Sequence, residues 1–250
     1  MRIHLLAKWS APSLLIFHII SRALNPEPSI GKDLLLYNAV ALVAVALLFQ
    51  APLNNDPLAI AFAALAIISW AIGSILSTLL EFNLISEISF LVPNIAYLLF
   101  YPFAFLAIPR VIGKRPKLAL IEILDAAIFG LGLSSIIASL LLGLLTNESP
   151  DNFFSVLYPI CDIALIAIVL AGAVISRFSI RLTILVSGII AFALTDLYFL
   201  WCQLEGRYEF GQLSDEGWLI GIVLFALSFW FIPQNTLGDS QIHSALVAVS

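Results

Sequence analysis

Seven long apolar runs, 33–51, 58–80, 90–108, 118–145, 153–176, 182–203 and 217–231, are separated by short polar or proline-bearing breaks. Most approach the ~20 residues needed to cross a ~30 Å hydrocarbon layer as a helix. In lipid each backbone amide must find its partner within the protein, so runs of this length and spacing point to spanning helices. The composition agrees: 62% of residues are hydrophobic, 11% are charged, and the mean hydropathy is +1.08. A water-soluble domain carries about 25% charged residues to keep its surface hydrated. Breaks such as 52–57, 146–151 and 204–211 leave no room for a separate soluble domain. The expected fold is therefore all-α: a polytopic membrane helical bundle of about eight transmembrane helices. Residues 1–233 would form a single bundle and 234–250 a short cytoplasmic tail.

The eighth helix is the first segment, 3–24, which contains Lys8, Pro12, His18 and Arg22. It reads as a first span, a cleaved signal peptide or an interfacial helix, and the count falls to seven if it does not span. With eight spans and a cytoplasmic N-terminus, Arg2, Lys8, Arg110, Lys114, Arg115, Lys117, Arg177 and Arg181 lie inside. Arg22, Lys32 and Arg207 lie outside. Without the first crossing the split becomes nearly even, so the positive-inside rule favours eight. Cleavage would remove Arg2, Lys8 and Arg22 and survives this argument. The expected location is the bacterial inner membrane, with both termini cytoplasmic and the loops near Glu81, Glu148 and 205–216 facing outward.

The informative residues are acids within the apolar runs. An ionised acid near the bilayer centre costs at least ~2.5 kcal/mol on insertion scales, so it turns to the bundle interior, a partner or water. Asp162 lies roughly 13 Å, and Asp196 roughly 10 Å, below the outer boundary at ~1.5 Å per residue. They are expected at similar depth on consecutive antiparallel helices. Tyr158 is four residues before Asp162 and shares its face, and Pro159 deprives the Ser155 carbonyl of its usual donor. Tyr198 follows Asp196, and Asp215 and Trp218 stand at the start of the last helix. Tyr158, Asp162, Asp196, Tyr198, Asp215 and Trp218 are thus the expected lining of an outward-facing polar cavity for a small ligand. The alternative is structural, with the two acids holding the sixth and seventh helices in register. Glu122 and Asp125, three apart, form a separate inner polar site or snorkelling ion pairs with nearby cations.

Other features read as packing. Pro93-Asn94 and Tyr101-Pro102 predict a kinked fourth span. Gly130, Ser134, Ser135 and Ser139 give small-residue faces for close helix approach. The five tryptophans, Trp9, Trp70, Trp201, Trp218 and Trp230, fall mostly near span ends, as aromatic belts do. Cys161 and Cys202 have no metal or redox spacing and are expected to be apolar packing residues.

Much chemistry lacks its residues. No lysine lies within a span to hold retinal, and the only histidines, His4, His18 and His243, form no haem or zinc pair. There is no HExxH, no P-loop and no basic-aromatic face for nucleic acid. The chain is expected to be no enzyme and to need no cofactor or metal; its partners would be the bilayer, a small ligand and a cytoplasmic or membrane signalling protein.

Three motifs carry a resemblance. Tyr158-Pro-Ile-Cys-Asp162, Leu185-Val-Ser-Gly188 leading to Thr195-Asp196-Leu-Tyr198, and Asp215-Glu-Gly-Trp218-Leu-Ile-Gly221 are together similar to the N-terminal multi-span membrane region of actinobacterial-type GGDEF and EAL signalling proteins. Ile123-Leu124-Asp125 also fits. The resemblance covers roughly 98–231 and implies a sensory or membrane-anchoring input domain. No GGDEF, EAL or kinase sequence occurs up to Ser250, so the chain is expected to be a stand-alone relative, a shortened form or a piece of a longer receptor. A small proton-coupled carrier, with Asp162 and Asp196 as proton-binding groups, and a structural or assembly subunit are the other readings.

Overall fold

The computed structural model describes residues 7–51, 56–86, 88, 89, 91–112, 150–175 and 179–231. Among these, every regular element is a helix. They are α1 (Ser10–Leu24), a π-helical stretch (Ile30–Leu36) that runs into α2 (Tyr37–Phe49), α3 (Pro57–Glu81), α4 (Leu91–Leu98) and α5 (Phe100–Ile112). α6 (Pro150–Ile175), α7 (Ile180–Leu204), a 3₁₀ turn (Leu213–Asp215) and α8 (Glu216–Ser228) follow. The predicted span 118–145, with Glu122, Asp125, Gly130, Ser134, Ser135 and Ser139, lies outside the described residues.

Four helical stretches are long and apolar enough to cross a membrane: Ile30–Phe49, Pro57–Glu81, Leu91–Ile112 and Ile180–Leu204. That is the architecture of a membrane protein. Ser10–Leu24 is shorter, and its 15 residues rise only ~22 Å. It is nevertheless built into the bundle, because Ala11 and His18 are fully buried against α2 and α8. The outer surface of the bundle is apolar: Phe17 on α1, Leu35 and Phe49 on the second helix, Ile72 on α3, Leu106 on α5 and Leu194 on α7 are all exposed. A large contiguous apolar surface has no favourable contact with water and suits lipid.

Local sequence explains where the helices begin and break. Asp56 accepts from the Leu58 amide at 2.9 Å with Pro57 in the first turn, a strong helix start. Arg110 bonds Asp56 from α5 and ties the two helices at that end. Ser179 caps α7. The predicted kink in the fourth span is a break at Leu99, three residues before Pro102, whose missing N–H and ring oppose continuation from Leu98. α6 continues through Pro159. The start of the second helix was not foreseen: Ser29 accepts from the Lys32 amide, Asp33 accepts from the Ser29 amide at 2.6 Å, and the Asn38 side chain donates to the Leu34 carbonyl at 2.9 Å. These side-chain bonds accompany the wider π geometry.

Glycine permits close helix approach between α7 and α8 and between α3 and α4. A Cβ on Gly221 would meet Phe192 Cβ at 2.8 Å and the Gly188 carbonyl at 2.9 Å, so α7 and α8 touch backbone to backbone. A Cβ on Gly73 would meet Tyr97 at 2.8 Å where α3 packs on α4. At one end of the bundle Tyr158 of α6 bonds Asn94 of α4, and towards the other end Gly172 faces Ile112. α6 is therefore parallel to the α4–α5 pair.

Candidate functional site

The C-terminal ends of α1, α3 and α7 meet the N-terminal ends of the π turn, α4, α6 and α8 around a cavity of about 610 Å³. Its floor is aromatic: Trp70 packs on Phe192 at 6.4 Å between ring centroids, and Phe192 stacks on Phe100 at 4.7 Å. Below them the Gly188–Gly221 crossing closes the bundle.

One wall is a chain of rings from five helices, α2 to α6. Tyr37 to Trp70, Trp70 to Tyr97, Tyr97 to Tyr158 and Tyr158 to Tyr101 follow at centroid separations of 5.9, 6.0, 6.4 and 6.3 Å. The Tyr97 hydroxyl lies beside Ser74 and Ser77 of α3. Facing this wall, Phe199 packs on Tyr208 at 4.7 Å and on Trp218 at 5.6 Å.

Asp196 stands between the two walls. Tyr101 donates its hydroxyl to Oδ2 at 2.9 Å and Trp218 its indole N–H to Oδ1 at 2.6 Å. Asp162 lies behind it, 1% exposed, beside Asp196 and Tyr101. Among the described residues its carboxyl oxygens find no donor in hydrogen-bonding geometry. Two carboxyl groups can bond one another only when one of them carries a proton.

At the mouth, the loop 205–215 folds over the cavity. Asp215 Oδ2 accepts from the Tyr208 hydroxyl at 3.2 Å and from the Gly211 amide at 3.1 Å, while its backbone carbonyl accepts from Tyr37 at 2.9 Å. Gly211 has φ +75°, and a side chain there would also collide with Arg22 Nη1, so the turn requires glycine. Burial pushes the Asp215 carboxyl up to about 7, although Tyr208, the Gly211 amide and Arg22 all act to lower it. Tyr208 is raised as well, first by burial and then by the neighbouring Asp215 charge.

Beneath this loop sits a buried charge cluster. Arg22, 3% exposed, pairs with Asp33 through Nη2, and its Nε lies 3.9 Å from Glu216. His18 Nε2 is 3.2 Å from the Lys32 carbonyl and Nδ1 is 2.9 Å from Glu216. A carbonyl can only accept, so Nε2 carries a proton; the Nδ1–Glu216 bond contains a second, held by one partner or the other. The cluster ties α1, the π turn and α8 together.

Of the sequence-predicted residues, Tyr158, Asp196, Asp215 and Trp218 line the cavity. Asp162 does not: it is one turn deeper than Tyr158 and sits behind Asp196. Tyr198 is a correction. It is 42% exposed, packs on Trp201 at 5.6 Å and does not line the cavity. Two residues along a helix are about 200° apart, so Tyr198 points away from the side that Asp196 faces. Phe199 and Gln203, at i+3 and i+7 from Asp196, share its face and do line the cavity. Glu122 and Asp125 lie outside the described residues. The expected aromatic belt is also corrected in part: Trp9 and Trp201 are exposed, but Trp70 is 4% exposed at the cavity floor. Cys161 and Cys202 are free thiols, the second buried, as packing residues would be.

Sequence reasoning missed Arg22, Asp33 and the aromatic wall. A signal existed on α3, where Trp70, Ser74, Ser77 and Glu81 recur at helical spacing and all line the cavity. No family model, curated protein or solved structure matches the chain.

Proposed function

We propose that this chain is a multi-pass membrane receptor, a sensory membrane domain that takes up a small ligand from one face and passes occupancy to a signalling partner. The cavity carries the reading. About 610 Å³ falls within the 300–1,000 Å³ range of small-molecule sites, and its walls come from every described helix but α5's far end. Among the described residues, the packing of Trp70, Phe192 and Phe100 and the α7–α8 crossing lie below it. A receptor needs only one opening; a carrier needs access from both faces. The buried His18–Arg22–Asp33–Glu216 cluster links the mouth to three elements, so a ligand that displaces the loop would be felt in α1 and α8. The resemblance of the Tyr158, Asp196 and Asp215 motifs to bacterial signalling input domains supports the same reading, and an outward-facing mouth in the inner membrane with cytoplasmic termini follows from the distribution of basic residues.

The test is accessibility and binding in nanodiscs and oriented vesicles. In a C161A/C202A background, Ser77→Cys is expected to react with a membrane-impermeant maleimide from one face only, and Ser77→Trp is expected to remove ligand-induced changes in Trp70 and Trp218 fluorescence. Labelling of Ser77→Cys from both faces during turnover would defeat the receptor reading in favour of transport.

One observation favours a second reading. Asp162 and Asp196 form the kind of adjoining buried carboxyl pair that a proton-coupled carrier uses. D162N/D196N keeps shape and hydrogen bonding but removes ionisation, and proton-driven uptake that persists in this variant eliminates coupling through the pair.

A further inference from the structure

The cavity has an unusual balance of groups for a ligand site. Its wall is rich in rings, and among the described residues its charged lining is acidic with a single exception, Arg22. Arg22 is already joined to Asp33 and faces Glu216. Among the described lining residues that leaves Asp196 deep in the cavity and Glu81 and Asp215 near its mouth, with no lysine or histidine. Asp196 receives only neutral donors, a phenol and an indole.

Rings with negative faces, arranged round a space containing carboxylates, are the physical recipe for holding an organic cation. Each aromatic face attracts a cation within about 6 Å of its centroid, most strongly when water is excluded. A substituted ammonium, unlike a metal ion or a primary ammonium, is weakly hydrated and presents apolar surface to the rings. Anionic ligands meet the opposite field, and a neutral apolar ligand would leave the acids without a counterpart.

We propose that the cavity recognises a substituted ammonium group, held by the Tyr97–Tyr158–Tyr101 wall and Trp218, with Asp196 as its counter-charge. This rests on the receptor reading and names the chemistry of its ligand. The ammonium belongs either to a free solute or to a lipid headgroup that leans into the mouth, and the two sources are separable.

The experiment uses the full chain in phosphatidylglycerol nanodiscs, which carry no cationic headgroup. Binding of choline, tetraethylammonium and benzyltrimethylammonium is followed by tryptophan fluorescence and calorimetry. The uncharged choline isostere 3,3-dimethylbutan-1-ol and the anion benzenesulfonate are the controls. At least one cation is expected to bind, with the isostere weaker by about ten-fold or more. Phe210 adds a further ring to the cavity lining, and Phe210→Leu is expected to weaken cation binding by about five-fold; Glu81→Gln is expected to act in the same direction. Competition by phosphatidylcholine nanodiscs assigns the group to a lipid headgroup, and its absence assigns it to a free solute. If the isostere or benzenesulfonate binds and the cations do not, the ammonium assignment is overturned while the receptor reading stands. If no probe binds and Ser77→Cys is unreactive from either face, both fall together.

Discussion

At the scale of single residues, the chain places charge where lipid and core would exclude it, and pairing makes this tolerable. Arg22 and Asp33 are both buried and bonded. Removing one partner strands the other, so Asp33→Ala is expected to destabilise the protein by about 3–5 kcal/mol, whereas the apolar pair Arg22→Met/Asp33→Leu should recover most of the loss. Thermal unfolding in detergent compares the three proteins. Asp215 supplies a pH dependence. Tyr208, Arg22, Glu216 and Tyr37 face it, and burial holds its carboxyl at about 7, well above the ordinary carboxylate range. A carboxyl raised on folding contributes stability that is complete below its unfolded pKa and lost as pH rises through the folded one. The unfolding midpoint is therefore expected to fall between pH 5 and pH 8, and Asp215→Asn to flatten the curve in that window. A cationic ligand favours the ionised form, so its affinity should rise over the same range.

At the scale of elements, the strongest constraint is the contact between α7 and α8. Gly188 and Gly221 bring two backbones together, and an added methyl has nowhere to go. Gly221→Ala is expected to cost about 1–3 kcal/mol and to lift α8 away from the cavity floor, measurable as a lower melting temperature and altered Trp218 fluorescence. The break at Leu99 has a different consequence. It lets α4 carry Asn94 and Tyr97 towards the cavity while α5 carries Tyr101 to Asp196. One straight helix would not need two axes to serve the two ends of the ring wall.

At the scale of the whole molecule, polarity is inverted relative to a soluble bundle: charge and hydroxyls are gathered inside, and large apolar side chains cover the outside. Leu194, exposed at 60% near the middle of α7, is a direct probe of that arrangement. Leu194→Asp is expected to cost about 3 kcal/mol in membrane insertion, while Leu194→Ala costs little, as read from the fraction of protein recovered in membranes. Equal recovery of the two variants would count against a lipid-facing α7.

The helical class and the presence of spanning-length helices were legible in the sequence, because apolar run length is a one-dimensional signal, although four such helices stand among the described residues where about eight were expected. Misplaced acids likewise pointed to Asp196 and Asp215, which line the cavity with Tyr158 and Trp218. Rotation was legible only where helical spacing was applied, and neglecting it put Tyr198 into the cavity and left Phe199 and Gln203 out. The Arg22–Asp33 pair and the His18–Glu216 bond across 198 residues had no sequence signature, and of the ring wall drawn from five helices only the α3 spacing of Trp70, Ser74, Ser77 and Glu81 showed. Local sequence fixes which residues can enter lipid, since transfer is a property of each segment alone. Which of them meet is decided by packing between segments, and only the tertiary structure holds that information.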